Sequence, residues 1–383
     1  MRSSGMMTGV ASTLAAVGRR DRIFIVVAFA LAIMTGIAVA LAMPSPVVFV
    51  LAGVSLAGMA AVIGRSVDGL AQRLSPNVTG IIQATLGNLP ELFVTIFALQ
   101  AGLFTVVQAT IVGSVLANVL LVLGAAFIVG GLRHGLVRFS ASSAQAIGIM
   151  LLLSVTVLSL PTIASLLHTP AAGHERELSV FVAIVMIIVF ALSIFAQLRG
   201  TPLGPEHHDA SAALRSAETE AAVAETPGHG AWPFAFAIGL LAVTGLMSAF
   251  VSDWFVGALT PTMDSLGISQ AFAGLVIVAI AGNAVENVVG IQLAAKGKAD
   301  YAMQIILQSP LQVAMFVAPV LILAAPLVGA ASFALVFPPM LLVALIAAVV
   351  IVLFVVFDGT SNWVEGVILV GLYAIIASIF WWG

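Results

Sequence analysis

Two short runs in this chain place an acid among apolar side chains. One is "ATLGNLPELFVTIFALQ", residues 84–100, with Asn88 and Glu91; the other is "AIAGNAVENVVGIQLAAKGKADY", residues 279–301, with Asn283 and Glu286. Each acid stands four residues after a glycine and three after an asparagine, which brings Asn and Glu onto one helix face. The glycine lets the helix unwind or another backbone approach. In the first run Pro90 frees carbonyls one turn earlier, where they can point at an ion. A carboxylate at membrane depth costs about 2.5–3.5 kcal/mol on insertion scales. Two in matched settings therefore point to ion handling.

The apolar stretch after each motif adds oxygens. Ser114 and Asn118 are spaced i, i+4, and Ser309 and Gln312 i, i+3. The assembled set is two carboxylates with amide and hydroxyl oxygens, plus backbone carbonyls and water, and it holds no soft ligand. That suits a hard cation such as Ca²⁺, which takes 6–8 oxygens in flexible geometry, and two carboxylates neutralise its two charges. The same acids bind protons, which neutralise the empty pair and let an empty carrier reorient. Cation and protons then compete for one pair of groups, the physical basis of antiport, and the charge count gives one Ca²⁺ against at least two H⁺. The structural alternative is that Asn and Glu tie helices together and that Ser114 and Ser309 allow close packing. Recurrence of the motif at one offset favours the functional reading.

Apolar elements must position these residues. Of 383 residues 62% are hydrophobic and 8% charged, against roughly 25% charged in soluble domains. An all-α polytopic membrane protein follows, since long continuous apolar runs exclude a barrel. There is no cysteine, which excludes disulfides, thiolate metal sites and thiol catalysis. A net charge of −3 without a basic cluster gives no sign of nucleic-acid binding. About eleven transmembrane helices are predicted, at 23–43, 46–64, 78–100, 104–130, 141–165, 177–198, 233–256, 268–294, 301–328, 332–357 and 362–382. With the N-terminus cytoplasmic, twelve of the 13 Lys and Arg residues face the cytoplasm, and only Arg176 lies outside. The positive-inside rule thus predicts N-in, C-out.

Residues 199–231 are the one long polar stretch, read as an acidic cytoplasmic linker with a short helix at 210–224. His207, His208 and His229 in it read as solvated rather than metal-binding. The linker separates a leading segment (1–45) and five helices (46–198) from five more (232–383). A shift of 195 residues lays Gly87, Asn88, Glu91 and Ser114 on Gly282, Asn283, Glu286 and Ser309. Five helices per repeat is odd, so the second repeat is inverted in the membrane. Inverted repeats with interrupted helices at the midplane are a transporter architecture.

Other polar residues read as peripheral. Glu365 follows Asn362 at the capping-box spacing. Lys296, Lys298 and Asp300 fit a short cytoplasmic turn, and Gln100 and Gln108 fit interfacial positions. Gln83 and Thr85 are candidates for lining the pathway, and Asp68 and Arg73 for a solvated cytoplasmic face.

These motifs resemble the calcium/cation–proton exchanger family, within the calcium/cation antiporter superfamily. The resemblance covers most of residues 46–383. It is carried by "GNLPELFVTIFALQAGLFTVVQATIVGSVLANVLLVLG", by "GLVIVAIAGNAVENVVGIQLAAKGKADYAMQIILQSPLQVAMFVAPVLIL" and by the closing "DGTSNWVEGVILVGLY". It implies an eleven-span fold with one leading helix and two inverted five-helix repeats, and export of Ca²⁺ driven by inward H⁺. The family's cation-binding acids match Glu91 and Glu286. Its supporting oxygens match Asn88, Ser114 and Asn118, with Asn283, Ser309 and Gln312. Two positions depart: Asn287 stands where the family commonly has His, and Gln308-Ser309-Pro310 where it usually has Gly-Ser before Gln.

The expectation is thus a Ca²⁺/H⁺ antiporter without cofactor in a lipid bilayer, and a bacterial cytoplasmic membrane fits the short loops. The alternatives are a Na⁺(K⁺)/H⁺ or Na⁺/Ca²⁺ exchanger of the same superfamily and, in another class, a passive cation channel. No nucleophile–base pair, HExxH or nucleotide loop supports an enzyme.

Overall fold

The computed structural model describes residues 17–71, 82, 85–198 and 232–382. The linker 199–231, with its expected helix and three histidines, lies outside the described residues, as do Arg73 and Gln83. The described chain is almost wholly helical, because apolar sequence away from water must satisfy its backbone internally. The helices are α1 (Arg19–Ala40), α2 (Ser45–Ala71), α3 (Leu89–Gln100), α4 (Phe104–His134), α5 (Ala141–Leu166), α6 (Glu175–Leu198), α7 (Phe234–Leu266), α8 (Gln270–Gly282), α9 (Ala284–Ala295), α10 (Ala299–Val328), α11 (Pro339–Val355) and α12 (Trp363–Ile379). Among the described residues seven of them are long and apolar enough to cross a membrane, eight if the bent pair α8–α9 is one span. Helices α3, α11 and α12 are shorter and apolar. The chain is an integral membrane protein.

Local signals fix where helices start and turn. Ser269 caps α8, accepting from Phe272 N at 3.0 Å. Asn362 caps α12, its Oδ1 accepting from Val364 N at 2.9 Å and Glu365 N at 3.2 Å. The expected cap at Asn362 and Glu365 is present, but its return arm differs. Glu365 accepts from the side chains of Asn362 (3.0 Å) and Ser361 (2.6 Å) rather than from a backbone N–H. The α3–α4 and α9–α10 turns each hold a left-handed glycine, Gly102 (φ 72°) and Gly297 (φ 74°), a conformation costly for other residues. The two positions are related by the same shift of 195 residues.

Some expected boundaries move. Helix α2 runs on to Ala71, its last turns anchored where Arg65 pairs with Asp21 at 2.7 Å and lies over the Phe24 ring. Helix α7 runs ten residues past the expected 256 because its end buries Leu259, Thr262 and Met263. The span expected at 332–357 begins only at Pro339. Pro338 and Pro339 restrict the chain before them and supply no N–H, so 330–337 forms a buried loop instead, with Phe333, Leu335 and Phe337 inside. Its backbone is satisfied by side chains. Thr162 Oγ1 donates to Leu335 O (3.0 Å) and accepts from Phe337 N (2.9 Å), and Ser179 Oγ accepts from Leu335 N (2.9 Å). Gln108 donates to Ala334 O at 3.2 Å and Val336 O at 2.8 Å. It braces this loop, where an interfacial position was expected.

Packing brings the two motif regions together. Helix α7 lies along α2 and against α3, while α1 rests mainly on α2. The first half of α4 crosses the first half of α8 at backbone distance. A Cβ on Gly113 would stand 2.3 Å from Leu275 O, and one on Gly274 would stand 2.4 Å from Val106 O. The second half of α4 packs on α12, and the last part of α10 packs on α6. Strands β1 (Val137–Arg138) and β2 (Thr360–Ser361) pair antiparallel, Val137 opposite Ser361, and so tie the α4–α5 and α11–α12 connections together.

Candidate functional site

Both Gly-Asn pairs interrupt helices. Helix α3 starts immediately after Asn88, and α8 and α9 meet at Asn283 with a bend of 65°. Neither asparagine uses its side chain to cap the helix that follows, and both amides reach across to other elements. The glycine before Asn283 has a steric role. A Cβ on Gly282 would stand 3.4 Å from Glu91 Cβ, so the break in the second run lies against the acid of the first.

A buried network crosses between the two runs. Ser114 Oγ donates to Glu91 Oε1. Asn283 Nδ2 donates to Ser114 Oγ at 3.1 Å, with a longer contact of 3.4 Å to Glu91 Oε1. Asn283 Oδ1 accepts from Ser309 Oγ at 3.1 Å and from Asn118 Nδ2 at 3.4 Å. Asn118 Nδ2 also donates to Ser114 O at 2.9 Å. A second crossing runs the other way, Asn88 Nδ2 to Gln312 Oε1 at 2.9 Å. Seven of the eight candidate residues therefore join two linked sets. Ser114 and Ser309, for which close packing was the alternative, are both hydrogen-bond donors in the network.

The eighth, Glu286, is set apart. It is half-buried and, among the described residues, its carboxylate receives no hydrogen bond from another side chain. The two acids are thus not equivalent: Glu91 is enclosed at 2% exposure and Glu286 is only half-buried. Thr85, the other pathway candidate, is half-buried and donates to Ile82 O at 3.3 Å.

Among the described residues, four buried oxygens on these helices lack a donor, namely Glu91 Oε2, Asn118 Oδ1, Asn287 Oδ1 and Gln304 Oε1. A buried acceptor left unpaired costs about 1–3 kcal/mol. Oxygens held this way are set to take a cation or water. All are hard oxygen ligands.

Two features were not visible in residue spacing. Each of the helices bearing Ser114 and Ser309 widens into a π-helical segment a few residues later, at Ala117–Val122 and Val313–Val317. Such bulges occur frequently at functional sites, and no composition signal announces them. The backbone-close crossing at Gly113 and Gly274 was also missed, because a glycine in an apolar run does not say which helix it meets.

Comparison with known proteins gives a consistent result. Residues 44–199 and 236–382 match the sodium/calcium exchanger protein family. The chain is 36% identical over 343 residues to a Ca²⁺/H⁺ antiporter of Synechocystis sp., covering 87% of this chain and 90% of that one. It is 33% identical to the Ca²⁺/H⁺ antiporter ChaA of Bacillus subtilis, covering 87% and 92%. Its fold superimposes on native YfkE with a TM-score of 0.74 at 30% identity, covering 94% of this chain and 99% of that one.

Proposed function

Because this chain belongs to the sodium/calcium exchanger protein family, we propose that it is a secondary active transporter exchanging cytoplasmic Ca²⁺ for external H⁺. The activity named for its relatives is Ca²⁺/H⁺ antiport, and the site chemistry agrees. The observation that carries the reading is Glu91, fixed through one oxygen by Ser114 while the other oxygen has no donor among the described residues. That is the posture of a cation ligand held ready in place.

Glu91 and Glu286 bind the cation and the protons alternately. With Ca²⁺ bound, two carboxylates balance two charges, and Asn118 Oδ1 adds a neutral oxygen. With Ca²⁺ gone, protons neutralise the pair, so the charge carried through the apolar interior stays small in either direction. Asn88, Asn283, Ser114, Ser309 and Gln312 hold the acids and the helix breaks in register. Alternating access moves the site from one side to the other.

The architecture that supports this motion is one leading helix and two inverted five-helix repeats, eleven spans in all. The leading span is α1. The first repeat is α2, a span ending in α3, α4, α5 and α6; the second is α7, the bent pair α8–α9, α10, α11 and α12. The repeat is supported by features recurring at one offset: the breaks at Asn88 and Asn283, the turns at Gly102 and Gly297, and π-helical segments after Ser114 and Ser309. Packing partners also exchange between halves, α4 with α12 and α10 with α6. The distribution of Lys and Arg supports a cytoplasmic N-terminus and an external C-terminus.

The test is proton-driven ⁴⁵Ca²⁺ uptake into inside-out vesicles. Uptake abolished by a protonophore and indifferent to Na⁺ is the expected result. Absence of Ca²⁺ uptake, with ΔpH still discharged by Na⁺ or K⁺, refutes the substrate and leaves the architecture.

A further inference from the structure

One corner of the molecule gathers positive charge from two distant segments. The end of α4 and strand β1 supply Arg133, His134 and Arg138, all exposed, and the α9–α10 turn supplies Lys296 and Lys298. The segments touch: the His134 ring nitrogen lies 3.0 Å from Ala295 O, and Arg133 donates to the same carbonyl at 3.4 Å. Two acids lie nearby: Asp300 is turned to the start of α5, accepting from Ser140 N at 2.6 Å, and Asp358 accepts from Thr360 N at 3.0 Å beside the strand paired with Arg138. Among the described residues neither Arg133 nor Arg138 makes an ion pair. Arg133, Arg138, Lys296 and Lys298 thus gather at one corner beside two aspartates that each accept a backbone N–H.

What surrounds these cations identifies the partner. Leu132 is 67% exposed and Leu136 is 49% exposed, and they alternate with the basic residues in "LRHGLVR". On a surface bathed by water those leucines would lie bare beside charges. At a bilayer boundary they enter the acyl layer while the guanidinium groups reach back to the phosphate level. We propose that this corner binds the headgroup phosphate of an anionic phospholipid, the lipid's chains lying along Leu132 and Leu136.

Orientation by the positive-inside rule does not explain the corner. That rule needs only a count of charges on one side, and exposed Arg19 and Arg20 on α1 already contribute to it. Here cations from segments some 160 residues apart converge, and they join the ends of α4 and α9, which carry Ser114, Asn118 and Glu286. A bound headgroup braces two site-bearing helices against each other at that end.

The experiment uses the full chain in detergent, incubated with equal amounts of phosphatidylglycerol and phosphatidylcholine of matched chain length. Retained lipid is counted by native mass spectrometry, and melting temperature is recorded with each lipid alone. Wild type should retain phosphatidylglycerol preferentially and melt higher with it. Arg133→Gln/Arg138→Gln should weaken that retention about tenfold or more, from the contribution expected of two interfacial cations. Arg19→Gln/Arg20→Gln, which removes equal charge elsewhere, should leave it intact. If the double variant at the corner does not fold, Arg138→Gln alone serves, since that side chain makes no hydrogen bond within the described structure. Equal retention of both lipids, or equal loss from the α1 variant, overturns the proposal. So does a corner-variant effect of the same size in either lipid, as docking of the chain's own acidic linker would give.

Discussion

Asn283 Nδ2 donates to Ser114 Oγ at 3.1 Å, and through that hydroxyl the second half of the chain holds the acid of the first, because Ser114 in turn donates to Glu91. The acid's geometry therefore depends on a residue 192 positions away in sequence. A conformational change that shifts α9 against α4 must also shift the donor environment of Glu91.

Removing Asn283 tests that dependence. In Asn283→Ala the Ser309 hydroxyl loses its acceptor and Ser114 loses its donor, both at buried positions. Each stranded group costs about 1–3 kcal/mol, so the variant should unfold at clearly lower temperature and denaturant. A double-mutant cycle with Ser309→Ala should give a coupling of about 0.5–3 kcal/mol, as for directly bonded residues. Strict additivity would show that the 3.1 Å contact between Ser309 and Asn283 contributes nothing.

The two acids should separate in stability but not in transport. On the proposed mechanism Glu91→Gln and Glu286→Gln each remove one of two charges that balance Ca²⁺, and each should lower proton-driven ⁴⁵Ca²⁺ uptake at least about tenfold, the scale of one lost charge-assisted contact. Glu91 alone sits inside the hydrogen-bonded network, so only Glu91→Gln should change the melting temperature appreciably. Uptake that survives both substitutions reduces the paired motif to a packing device.

Much of this was legible in the sequence, and the reasons are specific. Residues separated by one helical turn can be placed on a common face from spacing alone, which is how Asn88 with Glu91 and Asn283 with Glu286 were found. The repeat at an offset of 195 linked the two sets without any geometry. Which residue of one run touches which of the other is a tertiary fact, so the Asn88–Gln312 pair and the isolation of Glu286 were not visible. Helix ends set by burial, as at α7, also escape a hydropathy reading. The loop at 330–337 escaped for a related reason. It is as apolar as a span, and only Pro338 and Pro339 mark it as something else.

The crossing of α4 over α8 predicts a sharp contrast among glycines. A Cβ on Gly113 would lie 2.3 Å from Leu275 O and 2.6 Å from its Cα, both backbone atoms that no rotamer change can move. Gly113→Ala should therefore force the helices apart and cost about 1–3 kcal/mol or more, seen as poor recovery of folded protein and a lowered melting temperature. Gly257, inside α7, has nothing within 4 Å of a built Cβ. Gly257→Ala should be neutral or stabilise by about 0.5–1 kcal/mol through helix propensity. Equal effects at the two positions would contradict the close approach.

The proposed sharing of two acids makes Ca²⁺ affinity a function of pH, and the sign follows from charge. A protonated carboxyl offers no net negative charge, so each proton bound at the site must leave before Ca²⁺ is held at full strength. Apparent affinity should rise with pH and level off once both Glu91 and Glu286 are ionised. Over the rising range a plot of log Kd against pH should approach a slope of −2, one unit for each proton displaced. Equilibrium ⁴⁵Ca²⁺ binding to the purified protein at fixed ionic strength measures it directly. In Glu286→Gln the remaining acid can release one proton only, so the limiting slope should fall to −1 along with the affinity. A wild-type slope near zero would mean that Ca²⁺ and H⁺ occupy separate groups, and coupling would then have to arise from conformation rather than from competition for two carboxylates.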